Sequence, residues 1–236
     1  MTFAKRLTSS ALAFACALPL SACFDLTQTL SIGRNGAGHY ETAITANGLL
    51  GEALKDSKSA IALGRNPVRM HIVSRNGNVT QTAVIPFKSL SSLRLSDESL
   101  SLINHGASWL GLGPSHLTFV RTFLVDRARR ENTPKSAPAG QVGGELLQTM
   151  FGNHTYSFSV TVPGSVESAA PVKIGGALVK PRIVDRGLSQ TVTWRMPVYT
   201  LLQAKLLRFQ VDFAAYGFFH DAQSLPADAS AARAGT

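Results

Sequence analysis

Residues 155–162 read TYSFSVTV, with Tyr156, Phe158, Val160 and Val162 alternating without a break with Thr155, Ser157, Ser159 and Thr161. Successive side chains of an extended chain point to opposite faces, so this stretch buries one face and wets the other only as a strand. Pro163-Gly164 ends it. The same period recurs at Phe24, Leu26, Leu30 and Ile32, with Asp25, Thr27, Thr29 and Ser31 on the other face. The turn formers Gly33-Arg34-Asn35-Gly36 follow, and Tyr40, Thr42, Ile44 and Ala46 line a second strand, which predicts a hairpin. Val68 to Ser74 and Val79 to Phe87 flank Asn76-Gly77, the strongest short hairpin signal in the chain. Leu117 to Val125, Ser189 to Trp194 and Leu206 to Phe213 read as further strands.

Elsewhere the period changes. Leu50, Leu54 and Ile61, with Leu49 beside them, form a helical stripe opposite Glu52, Lys55, Asp56 and Lys58, and Gly64 and Pro67 end it. Ser89 to Leu102, with Leu90, Leu93, Leu100 and Leu102 apolar, is a second helix candidate; Glu145 to Phe151 and Val198 to Lys205 are shorter ones. Residues 103–116 and the polar stretch Arg127 to Gly144 read as loops, because glycine and proline cluster in both. Hairpins interrupted by helices imply an α+β fold with a mostly antiparallel β-sheet and two or three packed helices. With 44% hydrophobic and 16% charged residues, the 236-residue chain has the composition of a folded protein.

The first 23 residues, MTFAKRLTSSALAFACALPLSAC, stand apart. Lys5 and Arg6 give a positive start and Leu7 to Leu20 carries no charge, the layout of a secretory signal peptide. Leu20-Ser21-Ala22-Cys23 resembles the bacterial lipobox. That resemblance implies a thioether-linked diacylglycerol on Cys23 and cleavage just before it. Residues 1–22 would then be a cleaved lipoprotein signal peptide, residues 23–220 a single α+β envelope domain tethered at Cys23, and residues 221–236 a flexible C-terminal tail rich in Ala and Ser. A plain secretory signal and an uncleaved anchor are the alternatives. Pro19, and an apolar stretch shorter than the ~20 residues of a membrane span, speak against the anchor. The only cysteines are Cys16 and Cys23, so processing would leave one, already alkylated, with no route to a disulfide or a thiolate site. Each buried methylene of an acyl chain contributes about 0.8 kcal/mol, so two or three chains hold a protein on a membrane essentially permanently. By resemblance to the Gram-negative sorting rule, Phe24 rather than Asp after the lipidated cysteine favours the outer membrane, facing the periplasm.

The order of pieces resembles the LppM-type bacterial lipoprotein domain family. The segments are CFDLTQTLSIGRNGAGHYETAITA directly after the lipobox, a helix, GNVTQTAVIPFKSL, FSVTVPGSVES and QTVTWRMPVYTL. Val160 to Gly164 matches a "VTVPG"-like strand end and Thr191 to Trp194 a "TVTW"-like strand. The resemblance implies an envelope-exposed α+β domain and lipid-related binding, and transfers no functional residue. The long 100–116 and 127–144 segments and the lack of a C-terminal membrane helix depart from that pattern.

No catalytic signature stands in the sequence: no HExxH, no GxSxG elbow and no phosphate-binding loop, so the expectation is a non-enzyme with no cofactor and no metal. The six histidines read as solvent-facing, and Asp97-Glu98 falls in a polar helix candidate. Two patches are candidates for membrane or ligand contact. One is the Trp109, Leu110 and Leu112 stretch, an aromatic with leucines among glycines; its bland reading is that Trp109 caps the core under its own loop. The other is the basic segment of Arg127, Arg129 and Arg130, which anionic headgroups would attract and which is otherwise a solvated loop. A second basic group comprises Lys173, Lys180, Arg182 and Arg186. The expected protein is therefore a noncatalytic lipoprotein of the cell envelope that binds a membrane through its anchor and takes a lipid or other amphiphile as ligand. The alternative is a structural or assembly partner of another envelope protein. Export separates it from nucleic acid.

Overall fold

The computed structural model describes residues 24–56, 68–93, 95, 98–107, 113–124, 153–217 and 223–224. Strands account for 68% of them, which makes the α+β fold sheet-dominated. β1 (Phe24–Ile32) and β2 (Gly38–Asn47) form the expected antiparallel hairpin, with Leu30 opposite Tyr40. α1 (Gly48–Asp56) follows at once, and Leu54 is its buried anchor against Ala46 and Val79. β3 (Arg69–Arg75) and β4 (Asn78–Phe87) turn at Asn76-Gly77, whose φ values of 52° and 76° are the two left-handed conformations a tight hairpin needs.

Two sheets pack face to face. The first holds seven strands in the order β11-β12-β7-β1-β2-β4-β3, where β7 is Thr155–Pro163, β11 Arg182–Asp185 and β12 Ser189–Pro197. Its pairs are antiparallel except β1 with β7. The second has the order β14-β5-β6-β13-β8, with β5 Glu98–Ala107, β6 Ser115–Leu124, β8 Ser165–Ala169, β13 Leu206–Ala215 and β14 Gln223–Ser224. A small hairpin, β9 (Val172–Ile174) with β10 (Ala177–Val179), and α2 (Val198–Gln203) close one flank. The inward faces merge into one apolar core. Trp194 and Phe158 stack at 5.9 Å between ring centres, Phe209 meets both rings, and the Trp194 indole N–H donates to Ala170 O at 3.0 Å.

Strand register gives the sandwich two distinct ends. Phe24, Asn47, Asn78, Thr155 and Pro197 lie at one, and Ile32, Gly38, Phe87, Pro163 and Ser189 at the other. The second sheet runs along the first. Gly164 abuts Ala214 and Ala215 at the second end, which puts Leu206, Leu124 and Glu98 toward the first.

Several sequence expectations need correction. Ser89 to Leu102 is not a helix: a single 3-10 turn at Leu90–Ser92 precedes β5. Leu100 and Leu102 alternate with Ser99 and Ser101, and pairing with β6 turns that period into a strand. The expected loop at 103–116 is shorter, because β5 runs to Ala107 and β6 starts at Ser115. Residues 165–185 supply four short strands that had no sequence reading; each is five residues or fewer, too short for a period to stand out. Their cations Lys173, Lys180, Arg182 and Arg186 are all exposed. His154 is buried rather than solvent-facing. Within the expected tail, Gln223–Ser224 pair with Ile103 and Asn104 of β5.

Candidate functional site

Arg121 shares a face of β6 with Leu117, Phe119 and Phe123, so strand period sends its guanidinium inward between the sheets, where it is 1% exposed. Its Nε and Nη2 donate to the two carboxylate oxygens of Glu98 at 2.9 and 2.7 Å, a bidentate fork. Nη2 also donates to Gln28 Oε1 at 2.6 Å, and Nη1 to the Tyr156 hydroxyl at 3.3 Å. The Tyr156 hydroxyl in turn donates to the same Gln28 oxygen at 2.8 Å. The guanidinium carbon stands 4.2 Å from the centre of the Phe158 ring, a cation–π contact in a dry environment. Gln28, Tyr40 and Tyr156 come from the large sheet, Arg121 and Glu98 from the small one. One cluster therefore bolts the two sheets together.

Its electrostatics follow from burial. Loss of solvent raises the Tyr156 hydroxyl to about 12, against the opposing pull of Arg121. Burial raises Tyr40 further in the same direction. For Arg121, burial alone would disfavour the charge; the oxygens of Tyr156, Tyr40 and Glu98 outweigh that, and the guanidinium is held more firmly protonated than usual. The donors of Arg121 are thus committed to fixed partners on both sheets.

Glu98 also borders a half-open cleft of about 230 Å³, lined by Leu90, Ser91, Leu93, Leu95, Ser99 and Leu100. Four leucines share its wall with three polar residues, Ser91, Ser99 and Glu98 itself. At this volume it is smaller than the ~300 Å³ at which pockets for drug-sized ligands begin. Among the described residues no group of three His, Cys, Asp or Glu side chains is arranged to hold a metal ion.

The candidate contact residues Trp109, Leu110, Leu112, Arg127, Arg129 and Arg130, the lipidation candidate Cys23 and the helix candidate Glu145 to Phe151 lie outside the described residues. Their flanks are informative. Ala107 and Ser115, on either side of the Trp109 stretch, sit at the end remote from Phe24. Leu124 and His154, which bracket the basic segment, sit at the Phe24 end. Sequence reasoning passed over Arg121 and Gln28, and it placed Glu98 in a polar helix candidate, whereas Glu98 opens β5. The signal was a charged or amide residue on the inward phase of a strand, at position 121 between Phe119 and Phe123 and at 28 between Leu26 and Leu30.

These elements define a two-sheet, sheet-dominated α+β sandwich with a buried arginine cluster and a small cleft of mixed polarity. No family model matches the chain, and no curated protein matches it. Among solved structures, the folded domain of LppM from Mycobacterium tuberculosis is a structural neighbour: TM-score 0.41, 14% identity, 82% of this chain and 91% of that one. An M1 zinc metallopeptidase from Deinococcus radiodurans aligns with a TM-score of 0.26 and 14% identity, over 80% of this chain and 42% of that one. The first is a weak, fold-level resemblance to the LppM-type domain read from the sequence; neither carries an argument about activity. Among the described residues no helix is long and apolar enough to cross a membrane.

Proposed function

We propose that this chain is a noncatalytic lipoprotein of the bacterial cell envelope, held by acyl chains on Cys23 after loss of residues 1–22, and that it binds part of a lipid or other amphiphile in the cleft beside Glu98. The observation that carries the binding reading is the cleft itself, where Leu90, Leu93, Leu95 and Leu100 meet the polar groups of Ser91, Glu98 and Ser99, an apolar and a polar lining side by side. The lipobox-like Leu20 to Cys23 supports the anchor, and Phe24 after the cysteine favours the outer membrane in a Gram-negative cell. A second reading, an assembly partner for another envelope protein, has its own support in edge strand β11, paired on one side only and exposing Ile183 and Val184.

One preparation tests both parts. Cells fed labelled palmitate should yield a labelled protein that loses the label in Cys23→Ser. Native mass spectrometry of the processed protein should show a co-purifying lipid, and Leu95→Gln should lower its occupancy several-fold while the protein stays folded by circular dichroism. Absence of any bound lipid, with a stoichiometric cross-linked partner in cells, would replace amphiphile binding with assembly.

A further inference from the structure

The end of the sandwich where β1 begins carries two apolar side chains that none of the described residues covers. Leu49 and Leu50, in the first turn of α1, are 69% and 40% exposed. Phe24 lies directly opposite Ala46 across the β1–β2 ladder, and Leu49 follows three residues later. Adjacent strands lie about 4.8 Å apart and a helix rises about 1.5 Å per residue, so both leucines stand roughly 10–15 Å from Phe24. Cys23 is one peptide bond away, about 3.8 Å between Cα atoms.

Phe24 is not the end of a loose arm. Its backbone N–H donates to His154 Nδ1 at 2.7 Å, its ring sits 5.0 Å from the His154 ring, and Asp25 Oδ1 accepts the Thr155 N–H at 2.9 Å. β1 therefore starts already fixed to β7, leaving no linker to let the body swing away from its tether. From these placements the geometry points to an interaction surface: the Phe24 end of the sandwich rests on the leaflet that holds the acyl chains of Cys23, and Leu49 and Leu50 insert at its headgroup boundary. This rests on the lipidation reading above. The occupant is a lipid surface because a covalent lipid, anchored within a few residues, brings a bilayer against this end before any other partner can reach it. Leu188, 77% exposed at the β11–β12 turn, lies at the opposite end, roughly 30 Å away along nine-residue strands. It serves as the internal control.

The cysteine count makes the test clean. With Cys23 alkylated and Cys16 removed with the leader, a cysteine introduced elsewhere is the sole free thiol. Processed lipoprotein carrying Leu49→Cys, Leu50→Cys or Leu188→Cys is labelled with an environment-sensitive dye and reconstituted into vesicles of phosphatidylethanolamine and phosphatidylglycerol. The labels at 49 and 50 should shift their emission to the blue and be quenched several-fold by nitroxide-bearing lipid, while the label at 188 stays as in water. A protein that floats with the vesicles but is quenched equally at 49 and 188, or at neither, overturns the orientation and leaves the anchor standing. A protein with no diacylglyceryl mass on Cys23 that fails to float overturns the anchor, and the surface with it.

Discussion

A buried guanidinium is stable only while its counter-charge stays in place. Arg121 and Glu98, 1% and 7% exposed at their side chains, satisfy each other through a bidentate pair. Arg121→Met would strand the carboxylate and should cost about 3–5 kcal/mol, read from the denaturant midpoint. The double variant Arg121→Met with Glu98→Met removes both charges and should recover most of that loss; if it is as unstable as the single variant, the pair is not the reason Arg121 matters. Tyr156 and Tyr40 make the same cluster sensitive to alkali. Their hydroxyls ionise higher in the folded protein than at the ordinary value of 10.0, because burial disfavours the phenolate. Below pH 10 both states keep the proton and stability is unaffected. Above it the unfolded chain loses protons that the folded one retains, so each tyrosine should remove roughly 1 kcal/mol of stability per pH unit, for Tyr156 until about pH 12. Unfolding curves collected through that window should flatten by about half in Tyr156→Phe.

Elements here are held by register and by close backbone approach more than by helix packing. Gly164 links β7 to β8 with φ of 80°, and a Cβ there would strike Ala214 O of β13. Gly164→Ala should therefore cost about 2 kcal/mol or more in thermal or denaturant unfolding. Gly176, at the β9–β10 turn, has φ of 90° but open space around it, so Gly176→Ala should cost only about 1 kcal/mol. Equal losses would mean that conformation alone, and not the approach of the two sheets, is what glycine supplies at 164. The element that sequence misread, Ser89 to Leu102, marks the limit of periodicity. Leu90 and Leu93 are buried through a 3-10 turn and Leu102 through a strand, and a single helical stripe joins them only if the break between is ignored.

At the scale of the whole molecule, the consequence of the topology is polarity. β1 pairs with β7 in parallel and β13 runs the same way in the other sheet, so the first residue after the lipobox and the flanks of the basic segment share one end. The flanks of the Trp109 stretch take the other. By itself the sequence determined the strands whose inner and outer faces differ, the Asn76-Gly77 turn and the α2 segment, because alternation and turn chemistry are local. It also carried the lipobox-like leader, which is a pattern of neighbours. Only the tertiary structure decided that Arg121, Glu98 and Gln28 meet, that 165–185 forms strands, and which elements share an end with Phe24. Those depend on which distant strands pair, and pairing is settled by burial of the common core rather than by any stretch of chain alone.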